Sequence, residues 1–497
     1  MPDLAVWVAV THFLNLLFLT LLARSGIEVL SALPKLYLSD HCPPGRELVR
    51  FSKKVFCADA RTPWSSLDEE ESWSPLIALP GRKNLGLARH WHFMTVQFWV
   101  LTGLVYVVLL FVSGEWRRLV PTSWSIVPDA FHAAATYLNG HLAEPKPGHA
   151  YEALQQLAYF GVVFLLAPLQ IATGAAMSPS VIGRFPRYAR LFGGKQGART
   201  LHFLGLCAFA AFVVVHTVMV ILHGLGDGLT SIVVASDPAH ASPTVALVVG
   251  LAGLAVVVAI NIAATVFSLR HRRRVQRLTG MLVNPFERLL SRSLRSRQRY
   301  ARADISPYFR VNGYPPPDPA YQRVAEHDFA GYRLEVSGLV ERPLSLSLAD
   351  LRALGAESQI TKHNCIQGWT NIAEWGGIPV ATILEHCRPT PQARYLVFYA
   401  FDDKTITENE GRFGHFYGTL PLALARTPQT ILALDMNGAP LPIEHGAPLR
   451  LRVETQLGFK MVKWIRSIEL VEDYERIGMG QGGWREDQQY YANAAGI

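Results

Sequence analysis

The sequence has 497 residues, of which 50% are hydrophobic, and its formal net charge is +8. This length allows two or more domains, and the hydrophobic content is high for a water-soluble protein, so membrane insertion must be tested first. The excess of basic residues lies beside the long apolar segments. This placement favours contact with anionic lipid headgroups and argues against nucleic acid as a partner.

Five uncharged apolar segments are each long enough to cross a bilayer. A helix rises about 1.5 Å per residue, so about 20 apolar residues cross the ~30 Å hydrocarbon layer. The first segment lacks the basic n-region and the small-residue cleavage pattern of a signal peptide, so we interpret it as a retained span. We predict membrane helices over residues 4–23, 93–113, 154–176, 201–223 and 244–268.

The distribution of Lys and Arg between the loops predicts the orientation. The segments after the first, third and fifth spans carry 10, 5 and 11 basic residues, whereas those after the second and fourth carry 3 and none. Basic loops face the cytoplasm. We therefore place the N-terminus outside and the residues after 268 inside, in a multi-pass protein of the bacterial inner (plasma) membrane. Cys42 and Cys57 would then be reduced, structural thiols.

The chain divides into three regions. Residues 1–269 form the predicted membrane domain, and residues 270–303 form an arginine-rich linker or helix that lies on anionic headgroups. Residues 304–497 follow, with an extended entry "NGYPPPDP" and then runs that alternate apolar and polar residues, as half-buried strands do. "SLADLRAL" predicts a short capped helix between these strands. The third region is thus predicted to be a soluble α+β domain.

Histidines inside the apolar segments are candidate metal ligands, because ionisable side chains at membrane depth are usually functional. His202 and His216 are 14 residues apart, about 21 Å of helix and close to four turns, so they face one direction at different depths. Depth matching pairs His202 with His92 on the inner side and His216 with His12 nearer the outer side. Neutral imidazole is a good axial ligand for iron, so two bis-histidine b-haems are predicted. Four histidines with unrelated structural roles are the alternative.

Several segments of the membrane domain resemble the cytochrome b subunits of thiosulfate reductase and formate dehydrogenase. These are "GRKNLGLARHWHF", "LTGLVY", "LQIATGAAMSP" and "LFGGKQGARTLHFLGLCAFAAFVVVH", and the resemblance covers most of residues 1–225. It implies an all-α five-helix bundle with two b-type haems that exchanges electrons with quinone. It points to His12, His92, His202 and His216 as ligands. His90 is an alternative to His92, since both precede the same span.

A single cysteine, Cys365, lies in the Gly- and Trp-rich stretch "TKHNCIQGWTNIAEWGGIPV". His363 is close in sequence, but we expect the two side chains to point to opposite faces of the segment, so a hydrolytic Cys–His pair is disfavoured. A lone thiolate in a Gly-rich loop suits a soft transition metal. A buried structural cysteine is the simpler interpretation of these residues alone.

Segments of the third region are similar to the sulfite oxidase superfamily of molybdopterin enzymes, which includes protein-methionine-sulfoxide reductases. These are "YFRVNGYPPP", "HNCIQGW", "WGGIP", "MNGAPLPIEHGAPLRLRV" and "GFKMVKW", within roughly residues 304–487. The resemblance implies a molybdopterin cofactor, with Cys365 as the thiolate ligand of molybdenum and Tyr417 near the metal as a catalytic residue. It assigns the phosphate and pterin of the cofactor to Arg310, Asn312, His363, His445, Arg450, Met461, Val462 and Lys463.

The sequence departs from that superfamily directly after Cys365. Sulfite oxidases carry arginines shortly after the cysteine, whereas this chain reads "CIQGWTNIAEW" with none. A sulfite pocket is therefore disfavoured. Trp369 and Trp375 predict an aromatic pocket that suits a neutral or larger substrate.

These features together predict a molybdenum-dependent oxidoreductase. It would act on a small S- or N-oxide or sulfur compound, and electrons would pass between molybdenum, the inner haem, the outer haem and the quinone pool. The alternatives are an electron-transfer protein whose molybdenum domain is inactive and serves docking or sensing, and a membrane-anchored binding module without cofactors. A homodimer is left open.

Two observations disagree about the side of the membrane on which the soluble domain lies. The loop charges and the missing twin-arginine signal favour the cytoplasm. Relatives of the soluble domain are often exported, which favours the periplasm. We predict the cytoplasmic side.

Overall fold

The computed structural model describes residues 6–54, 64–233, 243–290, 299–407 and 414–493. A helical half is followed by a β-rich half, as predicted. Cys57 lies outside the described residues. Cys42 is a buried free thiol, which agrees with the predicted structural role.

Five helices in the described residues are long and apolar enough to cross a membrane. Their central turns carry exposed Leu, Val and Ile side chains, which is the surface expected of a helix in lipid. The third helix includes a π-helical segment at Gly161–Leu166. We call these helices spans one to five; their bounds are Val6–Ser31, Leu85–Val112, Ala153–Met177, Gly194–Leu222 and Pro243–Arg270.

Spans two and four begin earlier than the apolar segments predict. Span two starts at Leu85 rather than at residue 93, and span four starts at Gly194 rather than at residue 201. The extra turns carry polar side chains that are buried against protein, and some of these side chains are hydrogen-bonded to it. Arg199, for example, donates hydrogen bonds to the backbone carbonyls of Leu33 and Lys35. The hydropathy of the sequence alone could not include these turns.

The arginine-rich segment after span five forms the helix Arg272–Leu290, which contacts span two and the end of the β-rich half. Arg273 donates to the backbone carbonyls of Glu486 and Asp487, and Gln276 donates to that of Tyr491 at 2.9 Å. The prediction of a segment lying only on lipid headgroups was incomplete, because one face of this helix binds protein.

Short helices connect the longer elements. Those in the helical half are Ser66–Glu69, Trp116–Leu119, Ile126–Leu138, Pro179–Arg184, Pro186–Arg190 and Leu225–Val233. Those in the β-rich half are Pro319–Ala325, Leu348–Ala353, Val380–Cys387, Lys404–Thr407, Leu422–Ala425 and Trp484–Gln489. The predicted capped helix in "SLADLRAL" is present, with Ser347 and Asp350 capping each other's backbone N–H groups.

Twelve strands are present in the described residues. β1 and β2 form a small antiparallel pair in the loop after span one. The other strands form two five-stranded sheets in the β-rich half. The strands are β1 Lys35–Leu36, β2 Val49–Arg50, β3 Arg333–Gly338, β4 Leu344–Ser347, β5 Glu357–Asn364, β6 Thr370–Pro379, β7 Tyr395–Asp403, β8 His415–Pro421, β9 Thr430–Met436, β10 Ala439–Pro440, β11 Arg450–Val453 and β12 Ile465–Val471.

The two large sheets enclose the main apolar core of the β-rich half. One sheet has the order β10-β9-β6-β5, with β11 also paired to β9, and the other has the order β4-β3-β12-β7-β8. Only the β3–β12 pair in these sheets is parallel. Leu334, Phe398, Leu432 and Ile468 are buried in this core, and they come from strands of both sheets. The alternation of apolar and polar residues in these segments follows from this arrangement.

The loop after span one attaches the helical half to the β-rich half. Asp40 forms an ion pair with Lys362, and the Gly313 N–H donates to the Trp64 carbonyl at 2.7 Å. Arg310 forms an ion pair with Glu69 at 3.0 Å. The loop after span one and the helix after span five therefore contact the same soluble domain. This agrees with the prediction that the basic segments share one side of the membrane.

Candidate functional site

The four predicted haem-ligating histidines form two pairs. The ring centres of His12 and His216 are 6.3 Å apart, and those of His92 and His202 are 6.4 Å apart. A metal ion midway between two such rings would lie about 3.2 Å from each centre, which leaves about 2 Å to the nearest nitrogen, a normal metal–imidazole distance. The pairing is the one that depth matching predicts, and its spacing suits one iron per pair.

Hydroxyl groups orient three of these imidazoles. A hydrogen bond to one ring nitrogen holds the ring and leaves the other nitrogen free to bind metal. In each case the hydroxyl lies at Nδ1, so Nε2 is the free ligand atom. The contacts are Ser25–His92 at 3.1 Å, Thr173–His202 at 3.0 Å and Tyr159–His216 at 3.5 Å.

His90, the alternative to His92, has a different position. Residues two apart on a helix point about 200° away from each other, so His90 does not face His202. It is buried at the boundary between the halves, beside a cavity of about 340 Å³ that Ile366 and Tyr491 also line. His92 is therefore the better candidate ligand.

A larger cavity lies in the β-rich half beside Cys365, with about 770 Å³ of space that includes its opening to solvent. Seven of the predicted site residues line it together, although they come from distant parts of the sequence. They are Arg310, Asn312, His363, Cys365, Arg450, Met461 and Lys463.

Cys365 and His363 both face this cavity, so the prediction of opposite faces was wrong. Strand β5 ends at Asn364, and the chain then turns, with the Gly368 N–H donating to the Cys365 carbonyl at 3.1 Å. Side chains two residues apart in an extended segment share a face, and the turn after Asn364 keeps Cys365 on the side of His363. No hydrogen bond between the thiol and His363 is present in the described residues, because Cys365 Sγ contacts Gln367 Oε1 at 2.5 Å.

Burial raises the pKa of the Cys365 thiol to about 11, although the nearby cations Lys195 and Arg310 act in the opposite direction. The free side chain therefore holds its proton at neutral pH. A bound metal cation would displace that proton and make the sulfur a thiolate ligand. The buried thiol is thus suited to a metal and poorly suited to act as a free nucleophile.

Three cations beside the cavity have no carboxylate partner within ion-pair distance in the described part of the chain: Arg450, Arg452 and Lys463. Arg450 and Arg452 are buried, and both lie over the ring of Trp375, at 5.0 and 4.4 Å from its centre. The Nε atoms of the two arginines are buried without a hydrogen-bond partner. Burial lowers the pKa of Arg450 to about 9. Buried cations of this kind need an anion, and a phosphate suits them.

Arg452 was missed by the sequence prediction. Its Nη1 lies 2.9 Å from His363 Nδ1, and its Nη2 donates to the Thr361 hydroxyl at 3.1 Å. A guanidinium group can only donate, so His363 Nδ1 accepts and the ring proton lies on Nε2. The alternation in "LRLRV" could have indicated it. Arg452 is two residues from Arg450 in a strand, so the two side chains share a face.

The residues of the cavity fit a molybdopterin. It offers a buried thiol for the metal and unpaired arginine nitrogens for a phosphate, and the indole nitrogen of Trp369 is also buried without a partner. The pterin ring presents donors and acceptors along its edge, and His363 and Asn312 line the cavity with complementary groups.

Arg310 lines the cavity, but its charge is largely balanced by the helical half. It pairs with Glu69 at 3.0 Å and donates to the Tyr37 hydroxyl at 2.8 Å. Its guanidinium also lies 5.9 Å from the centre of the Trp369 ring. The loop after span one therefore holds this residue in place, which the sequence could not indicate.

Tyr417 is not among the cavity-lining residues, and the prediction that it lies near the metal is not supported. Its hydroxyl donates to Asp487 at 2.5 Å and lies 3.1 Å from the Ile477 carbonyl. Burial and the Asp487 carboxylate raise the pKa of Tyr417 far above its usual range. The side chain packs with Trp484 in a separate apolar cluster.

Two other predicted cofactor residues lie next to the cavity and do not line it. His445 is buried with its ring centre 5.5 Å from that of Phe309, and its carbonyl accepts from Arg450 at 2.9 Å. Val462 belongs to the core between the sheets, and its carbonyl accepts from the Leu451 N–H at 2.9 Å. Their positions suit a role in holding the residues that line the cavity in place.

The predicted aromatic pocket is only partly correct. Trp369 lines the cavity and stacks on His363, with ring centres 5.1 Å apart, whereas Trp375 lies beneath the two arginines. Lys404 and Arg485 also line the cavity. The lining therefore carries more cations than carboxylates, although Lys404 is paired at 2.8 Å with Asp402, which also lines the cavity.

Comparisons with known families agree with the two halves. Residues 4–234 match the family model described as prokaryotic cytochrome b561, and residues 321–477 match that of the oxidoreductase molybdopterin binding domain. The first half of the chain is thus similar to a cytochrome b membrane domain, and the second half to a molybdopterin-binding domain of oxidoreductases. The predicted succession of a helical membrane domain and a molybdopterin-type α+β domain is confirmed, and the cofactor classes, b-type haem and molybdopterin, are supported. The number of haems stays a prediction.

Individual relatives carry names from one enzyme system. The chain is 35% identical to the methionine-sulfoxide reductase subunit YedZ1 of Azospira oryzae over 191 residues, which is 38% of this chain and 64% of that relative. It is 35% identical over 150 residues to the protein-methionine-sulfoxide reductase catalytic subunit MsrP of Xanthomonas campestris, which is 28% of this chain and 45% of that relative. The chain thus spans less than two thirds of the length of each of these relatives.

The unpaired arginine nitrogens predict how the cavity holds its anion. We expect Arg450→Leu to lower the molybdenum content of the purified protein about ten- to a hundredfold, because a charge-assisted hydrogen bond contributes about 1.5–3 kcal/mol. Metal analysis of the variant measures this. Arg466→Leu, which removes an exposed arginine on β12, is the control and should retain molybdenum. Equal molybdenum in the wild type and in Arg450→Leu would contradict the assignment.

Proposed function

We propose that this protein is a membrane-bound, molybdenum-dependent oxidoreductase that exchanges electrons with the quinone pool through two b-type haems. One observation carries the proposal: the helix that presents His202 begins with a turn that contacts the residue before Cys365. A candidate haem site and a candidate molybdenum site therefore share one rigid element. Such an arrangement suits electron transfer within a single chain.

In the proposed molybdenum site, Cys365 ligates the metal, Arg450 and Lys463 hold the phosphate of the cofactor, and Arg452 orients His363. His363 donates from Nε2 in the tautomer that Arg452 selects. Burial and the charges of Arg452 and Arg450 lower the pKa of His363 well below its usual range, which keeps the ring neutral. When bound, the molybdopterin supplies oxygen-atom transfer chemistry, and the protein orients it.

In the proposed haem sites, His92 and His202 hold the inner haem, and His12 and His216 hold the outer haem. The inner site is the one closer to the soluble domain, because that domain packs on the ends of spans two and four that precede His92 and His202. This gives the order molybdenum, inner haem, outer haem. Quinone and membrane lipid are the proposed partners of the helical half.

We propose a sulfoxide as the substrate class, reduced to a thioether and water by two electrons and two protons. The names of the relatives support this choice. The cavity supports it too, because Trp369 and Phe416 offer apolar contacts to the substituents on sulfur, and Lys404 and Arg485 offer donors to the sulfoxide oxygen. The basic residues of the lining, which come from elsewhere in the sequence than the missing arginines, would thus bind the sulfoxide, a neutral but strongly polar group.

Replacing Cys365 tests the molybdenum site. We expect Cys365→Ser to abolish reoxidation of quinol-reduced haem by methionine sulfoxide while the haem spectrum stays unchanged, because only the thiolate binds the metal. Stopped-flow absorbance of the purified protein measures this. Cys387→Ser, a buried cysteine outside the cavity, is the control and should react normally. Wild-type protein with haem but no molybdenum would favour the alternative of an inactive docking or sensing domain.

Replacing one histidine tests the haem pairs. We expect His216→Ala to lower the haem content from two to one per chain, because a b-haem is held only by its axial ligands and the surrounding apolar contacts. Haem extraction with protein quantification measures the ratio. His223→Ala, at the exposed end of the same helix, should retain both haems. Two haems in the His216 variant would remove the outer assignment.

We also propose that the soluble domain lies in the cytoplasm, on the side of the basic loops. A reporter enzyme that functions only in the cytoplasm should then be active when it is fused after the last residue. Thiol labelling of an introduced C-terminal cysteine should require permeabilised cells. Labelling in intact cells would place the domain in the periplasm, as for exported relatives of this domain. The matching control is a cysteine at exposed Leu142, between spans two and three, which should label in intact cells.

A further inference from the structure

Lys195 is a buried cation at the boundary between the two halves. It is the second residue of span four, and its side chain is only 6% exposed. Its ammonium group lies 3.5 Å from Oδ1 of Asn364, the residue that precedes Cys365. An ammonium group has three donors, so this one long hydrogen bond leaves most of its capacity unused.

No carboxylate lies within ion-pair distance of Lys195 in the described part of the chain. The acidic groups that act on it are Asp40 and Cys365. Asp40 pairs with Lys362 and also accepts from the Gln196 N–H at 2.9 Å, and Cys365 is the proposed ligand of molybdenum. A buried ammonium without an anionic partner is costly. The environment of Lys195 therefore lacks an anion.

Lys195 faces the same direction as the inner histidine pair. It precedes His202 by seven residues, two turns of helix, so both side chains lie on one face about 10 Å apart along the axis. On span two, Arg89 precedes His92 by three residues and also shares its face. The charge of Arg89 acts on both Lys195 and His92. Two cations thus lie on the soluble-domain side of the inner pair.

A b-type haem carries two carboxylate side chains, the propionates, on one edge of its ring. A haem between His92 and His202 whose propionates point towards the soluble domain would bring two anions to the level of these cations. The opposite orientation would bury both carboxylates deeper between apolar helices. The position of Lys195 favours the first orientation, because its buried charge then gains an anionic partner.

We propose that Lys195 binds a propionate of the inner haem and at the same time donates to Asn364. This rests on the proposed haem between His92 and His202. The contact would join the edge of that haem to the residue next to Cys365 through one side chain. It would also stabilise the reduced haem, since a nearby positive charge favours the state that has gained an electron.

The test is a redox titration of the purified full-length protein, followed by visible absorbance. We expect Lys195→Met, which keeps the length and removes the charge, to lower the midpoint potential of one haem and leave the other unchanged. Lys195→Arg should stay close to wild type. Lys53→Met, an exposed lysine in the loop after span one, is the matched control and should shift neither haem.

Each outcome has a distinct meaning. Unchanged haem potentials in Lys195→Met, with an altered molybdenum(V) resonance, would overturn the proposal and assign Lys195 to the molybdenum site. A wild-type protein without haem would instead defeat the haem proposal itself. Should the Met variant not assemble, Lys195→Arg decides through redox-induced infrared difference spectra. The haem carboxylate band must shift if residue 195 contacts it, and an unchanged band overturns the contact.

Discussion

The buried ion pair between Arg310 and Glu69 is the contact on which the relation of the two halves depends. Glu69 comes from the loop after span one and also pairs with Lys35, and all three side chains are almost fully buried. Breaking such a group by removing one partner leaves an uncompensated charge, which typically costs about 3–5 kcal/mol. The pair therefore holds the loop against the β-rich half, and with it the ends of spans two and four.

This attachment explains why polar residues can continue helices beyond their apolar segments. Arg89, His90, Lys195 and Arg199 would end a span if they faced water, but here they face protein. The same contact brings a turn of span four to Asn364 and so relates the candidate haem site to the cavity. The surface that holds the two halves together thus also carries charged side chains beside the candidate molybdenum site.

Much of the helical half followed from local pattern. A long apolar segment has few alternatives to a span, since its backbone must be hydrogen-bonded internally in lipid. Because helix rise is fixed, the depths of His12, His92, His202 and His216 could be read from spacing, and the structure forms the same two pairs. The β-rich half was harder. The turn after Asn364 that brings His363 and Cys365 to one cavity, and the contact of Tyr417 with Asp487, depend on where strands end and pack.

The sequence by itself determined the order of the two domains, the five apolar helices and the identity of the thiol and imidazole groups, because hydropathy and helical periodicity act over neighbouring residues. Only the tertiary structure decided which cations surround Cys365. These cations come together only after folding, and the most distant two, Lys195 and Arg485, are hundreds of residues apart in the sequence. The others are Arg310, Arg450 and Arg452. The missing arginines beside Cys365 are therefore no measure of the cavity's charge, since electrostatic interaction depends on distance in space and not on distance along the chain.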